Sequence, residues 1–183
     1  MYPTGQHWKG LVLGAVGGAV GTLAMNAFVR QSTKWTASPQ EAKQGGSTGE
    51  AAAFSVAGKQ FEEGENSTET VGRLAYRAVT GDEPRTEETR KALAQQVHWA
   101  FGAAMGALYG LMRARGPAVD PWGGAAFGAG VWLFGSELSL PLLGLTPGPT
   151  ATTPAKHAEH LAAHLVYGTV LAATTQTLHR LTP

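Results

Sequence analysis

Long apolar runs alternate with one strongly polar stretch, and each apolar run is long enough to cross a bilayer. Gly10 to Val29, GLVLGAVGGAVGTLAMNAFV, carries no charge over 20 residues. At the α-helical rise this is about 30 Å, one hydrocarbon thickness. The second run, Ala92 to Met112, has His98 as its one group titrating near neutrality. The third extends from about Trp122 to Leu140 with Glu137 near its end, and the fourth from about His157 to Leu178. The pattern predicts an all-α integral membrane bundle of four transmembrane helices, both termini on one side. A polar insert separates helices one and two, so the chain divides into 1–29, 30–91 and 92–183.

Glycine spacing points the same way. Gly10, Gly14 and Gly18 recur every four residues, as do Gly102, Gly106 and Gly110, and Gly124 and Gly128 repeat the step in the third run. In water each would weaken a helix by about 1 kcal/mol relative to alanine, whereas in lipid such stripes let helix backbones approach. Lys9 ahead of the first run resembles the start of a signal peptide, but no A-x-A-like site follows cleanly, so this run is expected to stay as helix one.

The insert opens with SPQEAKQGGSTGE, a flexible-linker composition. Two short helices are predicted after it, Ala51 to Glu63 and Thr68 to Val79, the second with an apolar face of Val71, Leu74, Ala75 and Val79. A solvated connector, with that face lying on the membrane, is the expected role. Thr86 followed by Glu87 and Glu88 has the form of a helix start. Trp8, Trp99, Trp122 and Tyr109 fall near predicted helix ends, as interfacial aromatics do. Pro121 suits the first turn of helix three, and Pro141 ends or kinks it.

Charge narrows the function classes only slightly. There are 14 Lys+Arg against 13 Asp+Glu in 183 residues, without a basic stripe, so nucleic acid is not an expected partner. The absence of cysteine excludes disulfides, thiolate metal sites and cysteine nucleophiles. No phosphate-binding loop, serine-hydrolase elbow or dinucleotide fingerprint is present, and an enzyme is not the favoured reading. Arg113, Arg115 and Arg180 place the termini in the cytoplasm by the positive-inside rule, against Arg30, Lys34, Arg90 and Lys91 around the insert.

Candidate chemistry lies in the polar residues of the apolar runs. With alternating helix directions, Asn26, His98, Glu137, His157, His160 and His164 share one leaflet. His98, Glu137, His160 and His164 are the first candidates for a proton relay or ligand set, and Asn26 and His157 the secondary ones. Ionisable groups at bilayer depth are functional candidates by default. A His-x-x-x-His pair with His98 and Glu137 would suit a metal or haem, although His160-Leu-Ala-Ala-His164 lacks the glutamate of the HExxH protease motif. Imidazoles near Glu137 would equally pass protons. Hydrogen bonding across helices or a headgroup location is the competing structural reading.

The run WGGAAFGAGVWLFGSELSLPLLGLTP followed by HAEHLAAHLVYG resembles the YagU-type bacterial inner-membrane proteins. The resemblance covers helices two to four, and its most specific parts are Leu140 to Pro147 and His164-Leu165-Val166. It implies a multi-pass plasma-membrane protein with a link to acid stress, and it transfers no catalytic residue. The expectation is a bilayer-embedded protein acting in pH or ion homeostasis through its His/Glu cluster. The alternatives are an accessory or assembly subunit with a membrane-protein partner or a second copy of itself, and a metal- or haem-binding protein.

Overall fold

The computed structural model describes residues 6–36, 55–114, 116, 120 and 122–182. Its helices are α1 (Gln6–Thr36), α2 (Ser67–Thr80), α3 (Glu87–Arg113), α4 (Ala125–Gly130), a π-helical segment (Val131–Ser139), α5 (Leu140–Leu142), a 3₁₀ turn (Pro149–Ala151) and α6 (Pro154–Leu181). Among the described residues there is no strand. The chain divides into two compact units: Met1–Thr36, Trp99–Trp132 and Ala158–Pro183 form the first, Ala37–His98 and Leu133–His157 the second.

Close glycine contacts organise the first unit. A Cβ on Gly14 would lie 2.2 Å from the Gly106 carbonyl oxygen, and one on Gly18 would lie 2.3 Å from that of Gly102. Gly10 meets the Gly110 carbonyl in the same way, at 2.8 Å. Numbers rise along α1 as they fall along α3, so the two run antiparallel with backbones in contact. The other edge of α1 uses Gly17 and Gly21, against Leu171 and Thr175 and against Tyr167 of α6. A third contact sets Gly124 and Gly128 against Gly168 and the His164 carbonyl. Consecutive long segments therefore alternate in direction. Small residues at all these places let dispersion act between backbones, the packing that suits helices in lipid.

Side chains fill the space that the glycines leave. Tyr109, Tyr167, Leu171 and Ala172 form the buried cluster, with Met25, Met105 and Phe127 packed on it. The Tyr167 hydroxyl donates to the Gly102 carbonyl at 2.7 Å, tying α6 to α3. The Tyr109 ring stands edge-on to Phe127 with centroids 5.2 Å apart, a favourable quadrupole arrangement. Its hydroxyl donates to Asp120, whose other oxygen accepts the Gly124 N–H at 2.8 Å.

Two helices are long and apolar enough to cross a membrane, His7–Ser32 and Ala125–Leu142. The four predicted spans are thus reduced to two on this measure. α3 and α6 have the length, 27 and 28 residues, but polar residues such as Gln95, Gln96 and His98, or His157, Glu159, His160 and His164, interrupt them. The third predicted span is also not one regular helix, because it passes from α4 into the π-helical segment before Pro141 enters α5. Pro121 and the linker SPQEAKQGGSTGE lie outside the described residues, as do 51–54.

The second unit corrects the expectation for the insert. Residues 55–63 are not helical. They form an irregular, bent segment that hydrogen-bonds beyond the π-helical segment, Val56 N–H to the Leu142 carbonyl at 3.0 Å and Gln60 N–H to that of Gly144 at 2.8 Å. Gly144 has φ +69°, and a Cβ there would meet the Gly58 oxygen at 1.8 Å, so glycine is required for both conformation and space. α2 matches its predicted extent, but the face it buries is Thr70, Gly72 and Arg73, while Val79 stays 87% exposed. The buried side is polar because Arg73 meets Glu65 there, at 2.8 Å. The insert beyond residue 55 is thus a folded part of this unit and not a plain solvated connector.

A capping box starts α2: the Asn66 side chain accepts from the Thr68 and Glu69 N–H groups, and Glu69 accepts from the Asn66 N–H. Asn66→Ala is expected to cost about 1 kcal/mol by leaving those donors without a protein acceptor. A lower thermal midpoint, with faster proteolysis in residues 60–80, is the expected readout, and an unchanged midpoint would show that the cap is redundant.

Candidate functional site

Glu137 stands on the π-helical segment, which spans nine residues from Val131 to Ser139. Runs with i→i+5 hydrogen bonding are rare, usually single-turn bulges, and they concentrate at functional sites. A wider turn re-aims the side chains it carries relative to an α-helix. The carboxylate meets His157, in the first turn of α6, with Nδ1 to Oε2 3.0 Å apart. The other ring nitrogen, Nε2, lies 2.8 Å from the Pro149 carbonyl oxygen in the 3₁₀ turn. The two side chains are 25% and 15% exposed, His157 first. Both belong to the second unit.

Counting protons defines what this arrangement can do. A carbonyl oxygen accepts only, so Nε2 donates to Pro149. The facing group at Nδ1 is also an acceptor unless Glu137 is protonated. A neutral imidazole beside an ionised carboxylate therefore leaves two lone pairs opposed at 3.0 Å. One further proton, on Nδ1 or on the carboxyl, turns that repulsion into a hydrogen bond, and on Nδ1 it makes a charge-assisted pair. The geometry can thus accommodate one proton between the two side chains. From Trp132 to Ala155 Glu137 is the sole ionisable residue, so no second charge in that stretch competes for it.

The remaining candidates are distributed differently from a single cluster. His160 and His164 lie on α6 in the first unit, where His164 Nδ1 is 2.8 Å from the His160 carbonyl of its own helix. Asn26 belongs to the same unit, on α1. Near it in sequence, Ser32 donates to Glu159 at 2.6 Å, joining α1 to α6. His98 is half-buried on α3 and belongs to the second unit. Among the described residues no group of three or more His, Asp or Glu side chains converges as a metal site requires. The donor set His98, Glu137, His160 and His164 is therefore not assembled as one site. Of the secondary candidates, His157 is the one that touches Glu137.

Residues 84–173 match the model of a family described as a protein of unknown function (DUF1440). The match takes in α3, α4, the π-helical segment and most of α6, with both members of the pair, and leaves out α1. No curated protein and no solved structure matches the chain.

Two features escaped the sequence reading. The Tyr109–Asp120 bond carried no motif, although Asp120 is the one acid between Lys91 and Glu137 and stands four residues before the Gly124 it caps. The Pro149 carbonyl is a backbone acceptor, which no side-chain pattern announces. The proline-rich GLTPGPTATTP was the signal available there, since prolines fix a connection tightly enough to present a carbonyl.

Proposed function

We propose that this protein crosses the plasma membrane four times, through α1, α3, α4 with its π-helical continuation, and α6, and that it acts in pH or ion homeostasis by proton exchange at the Glu137–His157 pair. The observation that carries the reading is the pair itself: a carboxylate facing an imidazole whose second nitrogen is already committed to Pro149. Support for the membrane comes from exposure. Only 28% of the apolar window in α1 and 11% of that in Ala125–Leu142 is buried, and Val12, Val16, Leu23, Leu133, Phe134 and Leu138 are exposed. A helix serving as the core of a water-soluble fold would bury most of such a window. Apolar helix surface left exposed on this scale, in each of the two windows, needs lipid or a partner to cover it.

The resemblance to YagU-type membrane proteins, with its implied link to acid stress, accords with a proton-exchanging site. The test is proton flux in proteoliposomes under an imposed pH gradient. Glu137→Gln and His157→Gln are each expected to lower the flux at least about a hundredfold, the lower end of the range for loss of a proton-transferring group. Resistance to alkaline carbonate extraction should persist in both. Equal flux in wild type and variants would reject exchange at this pair.

A further inference from the structure

The glycine register of the first unit brings the start of α1, the end of α3, the residues before α4 and the end of α6 to one end. Gly10 packs on Gly110 and Ala114, Gly17 on Thr175, and Gly124 on Gly168 and Ala172. That end carries Lys9, Arg113 and Arg180, with His7 and His179 beside them in sequence. Its acid is Asp120, whose two oxygens accept from the Tyr109 hydroxyl and the Gly124 N–H within the fold. Trp8 and Trp122 belong to the same end and are 59% and 73% exposed. The ends of α1 and α6 away from it carry Arg30, Lys34 and Lys156 with Glu159, so charge does not set the two ends apart.

Exposed tryptophans mark the headgroup level, and Lys and Arg at that level favour an anionic leaflet. We propose that this end seats anionic phospholipid headgroups between Trp8 and Trp122, held by Lys9, Arg113 and Arg180. The assignment rests on the membrane reading above but not on the proton chemistry. A headgroup fits better than a soluble anion, because the aromatic side chains flanking the charges offer apolar surface to the acyl region as well.

The experiment reconstitutes the full chain in vesicles of phosphatidylcholine with a minor fraction of phosphatidylglycerol and measures the boundary-lipid preference with spin-labelled lipids. Each basic residue near a leaflet surface contributes about a fivefold preference, so wild type should favour phosphatidylglycerol by about fivefold or more. Lys9→Gln/Arg180→Gln should lower the preference by at least about fivefold, with Arg113 keeping the remainder, and Lys59→Gln/Lys91→Gln, in the insert, should leave it unchanged. The Lys9→Gln/Arg180→Gln variant spares Arg113, which adjoins the Tyr109–Asp120 contact. A preference untouched by Lys9→Gln/Arg180→Gln, or one abolished by millimolar inorganic phosphate, would overturn the proposal. Failure of the chain to float with vesicles would sink the membrane reading itself, whereas flotation without preference would sink the headgroup seat alone.

Discussion

Gly106→Leu should leave no folded helical unit. A Cβ at this position would lie 2.3 Å from the Gly14 carbonyl oxygen and 2.6 Å from the Gly18 Cα, and both are backbone atoms of α1. A side chain could turn aside, but backbone can yield only if the two helices separate. Separation would also carry Gly10 away from Gly110 and Gly18 away from Gly102, because one antiparallel register joins them all. Overpacking a core ordinarily costs about 1–3 kcal/mol. Since the whole α1–α3 seam opens at once, a destabilisation above about 3 kcal/mol is expected, beyond the ordinary overpacking range and read as disappearance of the monodisperse peak in mild detergent. Gly130→Ala is the matched control. Nothing lies within 4 Å of its Cβ position, so stability should stay within about 0.5 kcal/mol of wild type. A monodisperse, thermally stable Gly106→Leu protein would show that the α1–α3 seam does not hold the unit together.

The glycines by which α1 meets α3 are those whose four-residue spacing stood out in the sequence, because small-residue spacing along a helix is a direct record of close approach. Gly17, Gly21 and Gly168 had weaker patterns, and their neighbours could not be read without knowing which edge of α1 meets α6. The π-helical segment was not legible either. Over nine mostly apolar residues, from Val131 to Ser139, a period of 3.6 and a wider one place similar side chains on similar faces. The widened turn is visible only in the backbone, and with it the direction of Glu137. The pairing of Glu137 with His157 was hidden for a related reason. The histidines at i and i+4 drew attention to a shared helix face, yet the contact that Glu137 makes is with His157, one turn nearer the start of α6. The insert misled because the apolar positions of α2 pointed to one face, whereas its buried contact is the ion pair of Arg73 with Glu65, which leaves no mark in apolar periodicity.

Arg73→Ala is expected to destabilise the second unit by about 3 kcal/mol, because that buried ion pair is where the insert is most tightly held. Arg73 is 4% exposed and its main partner Glu65 8%. The guanidinium donates from Nε to Glu65 Oε1 at 2.8 Å and from Nη2 to Glu65 Oε2 at 3.0 Å, a two-point grip, and Nη2 also donates to the Gln60 carbonyl at 2.6 Å. Removing one member of a buried pair typically costs about 3–5 kcal/mol, since the other charge is left without compensation. Arg90, 3.5 Å from Glu65 Oε1, remains in the variant and sets the expectation at the lower end. The pH dependence follows from Glu65. Burial pushes its carboxyl up, but hydrogen bonds from Arg73, the Glu62 backbone and Thr70, with the Arg73 charge, outweigh this and hold it below the ordinary carboxylate range. A lowered folded-state pKa contributes stability that is full above the unfolded-state value and is lost as pH falls through the folded one. In Arg73→Ala the desolvation remains while the strongest opposing contact is gone. The deficit against wild type should therefore be largest near neutral pH and shrink on acidification as Glu65 takes up a proton. Thermal unfolding of both proteins in the same detergent between neutral and mildly acidic pH measures it. A deficit that is constant across that range would mean that Arg73 acts through its bond to the Gln60 carbonyl and its packing, with Glu65 already compensated by Arg90.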